Sequence, residues 1–165
     1  LAAGWRLANS HRPAIASWRR SHDTRKNPIV TPVEYINPPG TGPAQGLYAQ
    51  VTRMAGGPLL FIAGQLSVGS DGAVVGKHDF DRQFAQVFAN LGAVLKGMGV
   101  GFDQVIKFTT YLTHSQDIEH FMRCRAALFP TLFSGSLYPP NTLLIVDRLV
   151  KEDFVIEVEA VAAAA

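Results

Sequence analysis

The chain of 165 residues carries a single cysteine, Cys124, which excludes an intramolecular disulfide and any cysteine-built zinc cluster. No apolar run approaches the roughly 18 residues that a membrane-spanning helix requires, so no membrane partner is expected and the protein is read as cytoplasmic. Charge is scarce as well, at 17% of the residues against roughly 25% in average soluble domains. So few charges leave little with which to cover an outer surface, and a buried interface between subunits is the expectation that follows. There is no internal repeat, and no low-complexity segment beyond the terminal alanines.

What charge there is divides unevenly. Residues 1–34 hold Arg6, Arg12, Arg19, Arg20, Arg25 and Lys26 against Asp23 and Glu34, a balance of +4. Residues 35–165 hold 9 basic and 11 acidic side chains, a balance of −2. The chain is therefore read as a basic N-terminal extension, 1–34, followed by one mildly acidic domain, 35–165, and the acidic balance argues against a nucleic-acid partner. The extension is read as a segment that packs on a neighbour through Trp5, Ile15 and Trp18; the alternatives are a targeting segment, since it is Arg-rich, Ser-containing and poor in acids as transit peptides are, or a nucleic-acid contact. The stretch Asn37-Pro38-Pro39-Gly40-Thr41-Gly42-Pro43 separates it from the domain, because prolines remove backbone donors and glycines free the chain.

Within the domain, Tyr48–Met54 and Leu59–Leu66 read as strands, and the turn Ala55-Gly56-Gly57-Pro58 between them predicts a hairpin. Asp79 is placed to cap a helix running to about Met98, with Phe80, Phe84, Val87, Phe88, Leu91, Leu95 and Met98 at helical spacings. Val105–Thr113 is rich in β-branched and aromatic residues and predicts a strand. A second helix opens at Ser115 or Asp117 and turns Ile118, Phe121, Met122, Leu128 and Phe129 inward. Thr142–Leu149 and Phe154–Ala162 predict two last strands around a turn near Lys151–Asp153. The order ββ, α, β, α, ββ implies an α+β sandwich, with two helices on one face of a mixed sheet.

Several candidate sites can be weighed from spacing alone. Gly97, Gly99 and Gly101 follow a helix and precede a strand, the reverse of a phosphate loop, so they read as a helix stop. His78, His114 and His120 lack the spacings that gather metal ligands and read as surface or capping residues. Cys124 lies between Arg123 and Arg125, but neighbours at i±1 on a helix point apart, which favours a structural thiol. In Val155-Ile156-Glu157-Val158-Glu159-Ala160 the strand period of 2 puts both carboxylates on one face. That face is either solvated or holds one carboxylate in a cleft, ready to orient a water or take its proton. The rigid turn Pro139-Pro140-Asn141-Thr142 suits either plain turn chemistry or a ligand anchor.

Four segments carry a resemblance to a known family. Phe61-Ile62-Ala63-Gly64-Gln65-Leu66 is similar to an "SGQ" strand, Asn90-Leu91-Gly92-Ala93-Val94-Leu95 to an "NLKAVL" helix, Val105-Ile106-Lys107-Phe108-Thr109-Thr110-Tyr111-Leu112 to a "VVKTTVFL" strand, and Val155–Ala162 to a "VEIEAIA" end. In order and spacing the chain from about residue 35 resembles the RidA/YjgF family. The resemblance implies a chorismate-mutase-like α+β fold, a homotrimer, and a small-molecule cleft between adjacent subunits that takes a carboxylate or imine. It also implies cofactor-independent hydrolysis of enamines and imines of 2-keto acids, with no metal. Carried onto this chain, the family's glutamate is Glu157 and its tyrosine Tyr48, as catalytic residues. Its backbone-binding glycine is Gly64. The Pro-x-Arg-Ser/Thr anchor becomes Asn141 and Thr142, as substrate-binding residues. The chain departs from the pattern where Asn141 replaces the arginine, Ala63 the serine and Leu143 a cysteine, and where Met122 stands in place of an asparagine. Asparagine carries no charge for a bidentate ion pair, and Arg53 or Arg148 would have to substitute. The expected function is therefore a divergent deaminase or hydrolase rather than a standard 2-iminobutanoate/2-iminopropanoate deaminase. The alternative is a non-catalytic metabolite-binding trimer; ribonuclease or translation inhibition ranks behind both.

Overall fold

The computed structural model describes residues 32–164; the roles read for Trp5, Ile15 and Trp18 lie outside the described residues. Six strands and two long helices follow in the order β1 (Val33–Ile36), β2 (Val51–Met54), β3 (Leu59–Gln65), α1 (Phe80–Gly97), β4 (Val105–Leu112), α2 (Ile118–Leu132), β5 (Asn141–Ile145) and β6 (Ile156–Ala163). Short 3₁₀ turns at Phe102–Gln104 and Ser115–Asp117 lead into β4 and α2. None of the helices among the described residues is long and apolar enough to cross a membrane.

Helix α1 begins where the Asp79 carboxylate accepts a hydrogen bond from the Arg82 backbone N–H, at 3.1 Å, satisfying one of the free donors of the first turn. Its stripe Phe80, Phe84, Val87, Phe88, Leu91 and Leu95 is buried, and the chain turns away at Gly99, whose φ of 75° suits glycine. Gln83 is also buried on this face. Its amide donates to the carbonyls of Gly76 and Asp153 and accepts from the Val155 N–H, tying α1 to the entrance of β6. Helix α2 buries Phe121, Arg125 and Phe129. Edge-on aromatic contacts, among them Phe84–Phe121 and Phe88–Phe129 with centroids 5.8 and 5.5 Å apart, join the helices.

The main sheet has the order β3-β6-β4-β5. β6 is antiparallel to both β3 and β4, whereas β4 and β5 are parallel and need the crossover through α2. Phe108, Leu112, Ile156, Val158, Ala160 and Ala162 face the helices and are buried. The fold is thus the expected two helices packed on one face of a mixed sheet.

Strand pairing departs from the expected hairpin. β2 and β3 do not pair: β2 lies antiparallel to β1 in a separate ribbon, and β3 joins β6. Gly56 and Gly57 both adopt φ near 120°, so the linker carries the chain onward instead of folding it back. The Pro58 carbonyl then accepts from the Ala164 N–H at 3.0 Å, which fixes β3 against the end of β6. β1 was not expected; it precedes the proline- and glycine-rich segment, which therefore connects two paired strands. The ribbon is held to β4 by two hydroxyls at 2.7 Å, Tyr35 donating to the Val105 carbonyl and Thr52 to that of Ile106. β5 and β6 likewise do not pair across their turn, because β4 lies between them.

Candidate functional site

Alternation along β6 buries Ile156, Val158, Ala160 and Ala162 and leaves Glu157 and Glu159 half-buried on the opposite face. Register fixes their neighbours. Glu157 lies across from Tyr111, and Glu159 across from Thr109; Thr109 in turn lies across from Thr142 on β5. One open sheet face therefore carries Glu157, Glu159, Thr109, Tyr111 and Thr142. A shallow hollow of about 290 Å³ on that face is lined by Phe61, Ala63, Lys107, Thr109, Glu159 and Val161, among others.

Gly64 stands directly beside Glu157. The β3–β6 register shifts between Ile62 and Gln65, a bulge that brings the Gly64 backbone against the Glu157 side chain. A Cβ on Gly64 would collide with Glu157 Oε1 and lie 2.7 Å from its Cδ. Glycine here creates the room that the carboxylate occupies. Burial, and then the neighbouring Glu159, push the Glu157 pKa above the ordinary carboxylate value. The Tyr111 hydroxyl donates to Glu159 Oε1 at 3.3 Å; desolvation first, then Glu159, raise the Tyr111 pKa.

The other two residues carried over by resemblance lie elsewhere in the chain. Asn141 starts β5 across from Phe108 and so turns to the helix side of the sheet, where its Oδ1 accepts from the Thr110 hydroxyl at 2.9 Å. Tyr48 packs over helix α2, with the Arg125 guanidinium 5.9 Å from its ring centroid. Gly64, Glu157 and Thr142 thus share one face within a single chain; Asn141 and Tyr48 do not join them. The candidate substitute arginines are exposed and already paired, Arg53 with Glu34 at 2.7 Å and Arg148 with Glu152 at 3.2 Å.

Arg125 escaped the sequence reading. It lies four residues after Phe121 and four before Phe129, inside the apolar stripe of α2, and that spacing was the available signal. A second grouping was also missed: His78, His114 and His120 line one groove with Asp79, Asp81 and Asp117. Among the described residues no set of three or more His, Cys, Asp or Glu is placed to hold a metal. Cys124 donates to Asp81 Oδ1 at 3.3 Å. Burial and that carboxylate push the thiol up to about 11, so it is a protonated, structural thiol at neutral pH.

Comparison with known proteins gives concordant matches. Residues 41–164 match the family model described as Endoribonuclease L-PSP. A RutC family protein of Pyrococcus horikoshii is 34% identical over 117 residues, 71% of this chain and 86% of that protein. The RutC family protein YjgH of Escherichia coli is 34% identical over 105 residues, 63% of this chain and 76% of that protein. The crystal structure of YyfB from Yersinia pestis, a Rid-family protein of unknown function, superposes with a TM-score of 0.71 at 28% identity, over 80% of this chain and 98% of that one.

Proposed function

The chain belongs to the Endoribonuclease L-PSP family, the RidA/YjgF proteins, and from that premise we propose that it is a cofactor-independent hydrolase of imines or enamines. It works as a homotrimer whose small-molecule clefts lie between adjacent subunits. The observation that carries this reading is Glu157: a half-buried carboxyl with a raised pKa, pressed against the Gly64 backbone on an open sheet face. A general base serves best when its pKa is brought toward the working pH.

The chemistry follows from that group. Ionised Glu157 takes a proton from water as the water oxygen bonds to the carbon of the protonated imine and the C=N electron pair passes to nitrogen, which leaves a neutral carbinolamine. Glu157 then gives that proton to the amine nitrogen and takes the hydroxyl proton as the C–N bond breaks, so that the carbonyl compound and ammonia leave and the last proton passes from Glu157 to solvent. No redox partner is required. Thr142 and the Gly64 backbone line the same face and offer hydrogen bonds to the substrate; Tyr48 enters the cleft from the neighbouring subunit.

Asn141 sets this protein apart from a standard keto-acid imine deaminase, since it is neutral and its Oδ1 is engaged by Thr110. The same bond supports the second reading, a metabolite-binding trimer without turnover. A ribonuclease finds no support in the charge of residues 35–165, with 9 basic against 11 acidic side chains.

Ammonia release from freshly generated 2-iminopropanoate and 2-iminobutanoate separates these readings. If wild type accelerates release well above buffer, the carboxylate is held by a group other than Asn141 and the protein is a working deaminase, in which case Glu157→Gln is expected to lower that rate by about 100-fold or more. If only Asn141→Arg accelerates release, the natural substrate is not a small imino acid; if neither protein does, the binding trimer replaces the hydrolase.

A further inference from the structure

Tyr111 and Glu159 lie on the sheet face that carries Glu157, and the hydrolysis described above uses neither. Phe108, Thr110 and Leu112 of β4 are buried, so the strand period turns Lys107, Thr109 and Tyr111 to the open face. Lys107 lies across from Val161, Thr109 across from Glu159 and Tyr111 across from Glu157. Lys107 therefore sits one step from Glu159 on the side away from Glu157, and Tyr111 one step from it on the side toward Glu157. Such diagonal neighbours are within reach of an aromatic side chain, and the Tyr111 hydroxyl donates to Glu159 Oε1 at 3.3 Å. That hydroxyl belongs to this chain: the "VVKTTVFL" strand that residues 105–112 resemble has phenylalanine where Tyr111 stands.

All three side chains are half-buried, so water screens them incompletely. Desolvation first, then Glu159 and then Glu157, raise the Tyr111 pKa, and the phenol keeps its proton at neutral pH to give to Glu159. Glu157 is raised first by burial and then by Glu159. Two carboxylates on one face resist ionising together, so the place where Glu159 holds its charge decides how readily Glu157 gives up a proton. The other groups that face Glu157 are few. β3 brings the Gly64 backbone, β4 brings Thr109 and Tyr111, and Lys107 lines the adjoining hollow with Glu159. In the trimer proposed above, Tyr48 of the partner subunit joins them. The bond to Tyr111 thus keeps the Glu159 carboxylate on the Glu157 side and not on the side of the Lys107 ammonium.

We propose that Tyr111 is a positioning residue whose hydroxyl holds the Glu159 carboxylate toward Glu157, and that this held charge sets the pH above which Glu157 works as a base. The inference rests on the hydrolase reading above and deepens it by naming what regulates Glu157. Without the hydroxyl, Glu159 swings toward Lys107, its charge moves away from Glu157, and Glu157 ionises at a lower pH. Glu157 is then ionised over a wider range but draws a proton from water less strongly. Proton transfer itself stays with Glu157; Tyr111 and Glu159 act through it.

Carboxyl ¹³C titration of the full protein, labelled at glutamate Cδ, tests this in wild type, Tyr111→Phe, Glu159→Gln and the double variant, with Glu157→Gln assigning the Glu157 resonance. The Glu157 midpoint is expected to fall by about half a pH unit or more in Glu159→Gln, and by a smaller amount, at least about 0.2, in Tyr111→Phe. The double variant should match Glu159→Gln, because the hydroxyl acts only through that carboxylate. A Tyr111→Phe midpoint within about 0.1 of wild type or above it, an unmoved midpoint in Glu159→Gln, or a double variant that departs from Glu159→Gln would each overturn the proposal. Should Tyr111→Phe not fold, labelling at tyrosine Cζ decides. The Tyr111 resonance must then move between wild type and Glu159→Gln, and one that stays overturns the positioning. Ammonia release across pH supplies a second readout: the acid limb of kcat/KM must move down with the Glu157 midpoint in Tyr111→Phe, and a limb that stays while the midpoint falls overturns the proposal. Midpoints that move as expected without ammonia release from any of the proteins sink the hydrolase and leave Tyr111 as the residue that positions Glu159.

Discussion

At the scale of single residues, Glu157 ties the site to stability. Its folded pKa lies above the ordinary carboxylate value, so the folded chain holds that proton more firmly than the unfolded one. Raising the pH from the ordinary carboxylate range through the raised value therefore costs stability, and below that range the penalty vanishes. Glu157→Gln is expected to melt higher than wild type at pH 7 to 8, with the difference closing toward pH 3 to 4; thermal melts across pH test this, and a constant difference would refute it. Asn141 shows the other side of residue-scale reading. The family resemblance located it at the anchor position, but only the register, which sets it across from Phe108 and beside Thr110, shows that it turns away from the face that carries Glu157.

At the scale of elements, the helices were the more legible. The stripe of α1 from Phe80 to Leu95 and its Asp79 cap stand where the periodicity put them, because a helix is specified by contacts three and four residues apart; Met98, expected at the end of that stripe, instead follows the last helical residue and is 53% exposed. Asp79→Ala should lower stability by about 1 kcal/mol through the lost cap, read as a shift in urea midpoint without a change in slope. The strands were less legible. Their positions follow from alternation, but β2 was expected against β3 and is found against β1, since a ladder partner can come from anywhere in the chain. The bulge that brings Gly64 to Glu157 belongs to the same class: nothing in Ala63-Gly64-Gln65 names the strand it will meet.

At the scale of the whole molecule, the open sheet face poses the question of assembly. Phe61 is 79% exposed, and Leu59 and Leu144 on the same face are more than 40% exposed. An apolar face this open, around half-buried carboxylates, marks an interaction surface, and a further copy of the chain is the occupant that the proposed trimer supplies. Mass in solution is expected to correspond to three chains. Phe61→Arg should shift it toward one chain and remove hydrolysis with it; a monomeric wild type would defeat the interface cleft.

The sequence by itself determined what depends on neighbours along the chain: the two helices, the alternation that puts Glu157 and Glu159 on one face, the charge division, and the motifs that carry the family. Tertiary structure alone decided what depends on distant partners. It paired β1 with β2 and β3 with β6, pressed Gly64 against Glu157, parted Tyr48 and Asn141 from them, and gathered three histidines that spacing had kept apart. It also isolated Arg125 among Tyr48, Phe121 and Phe129. Periodicity marks that position as inward-facing, but whether a buried charge has a partner depends on every element packed around it.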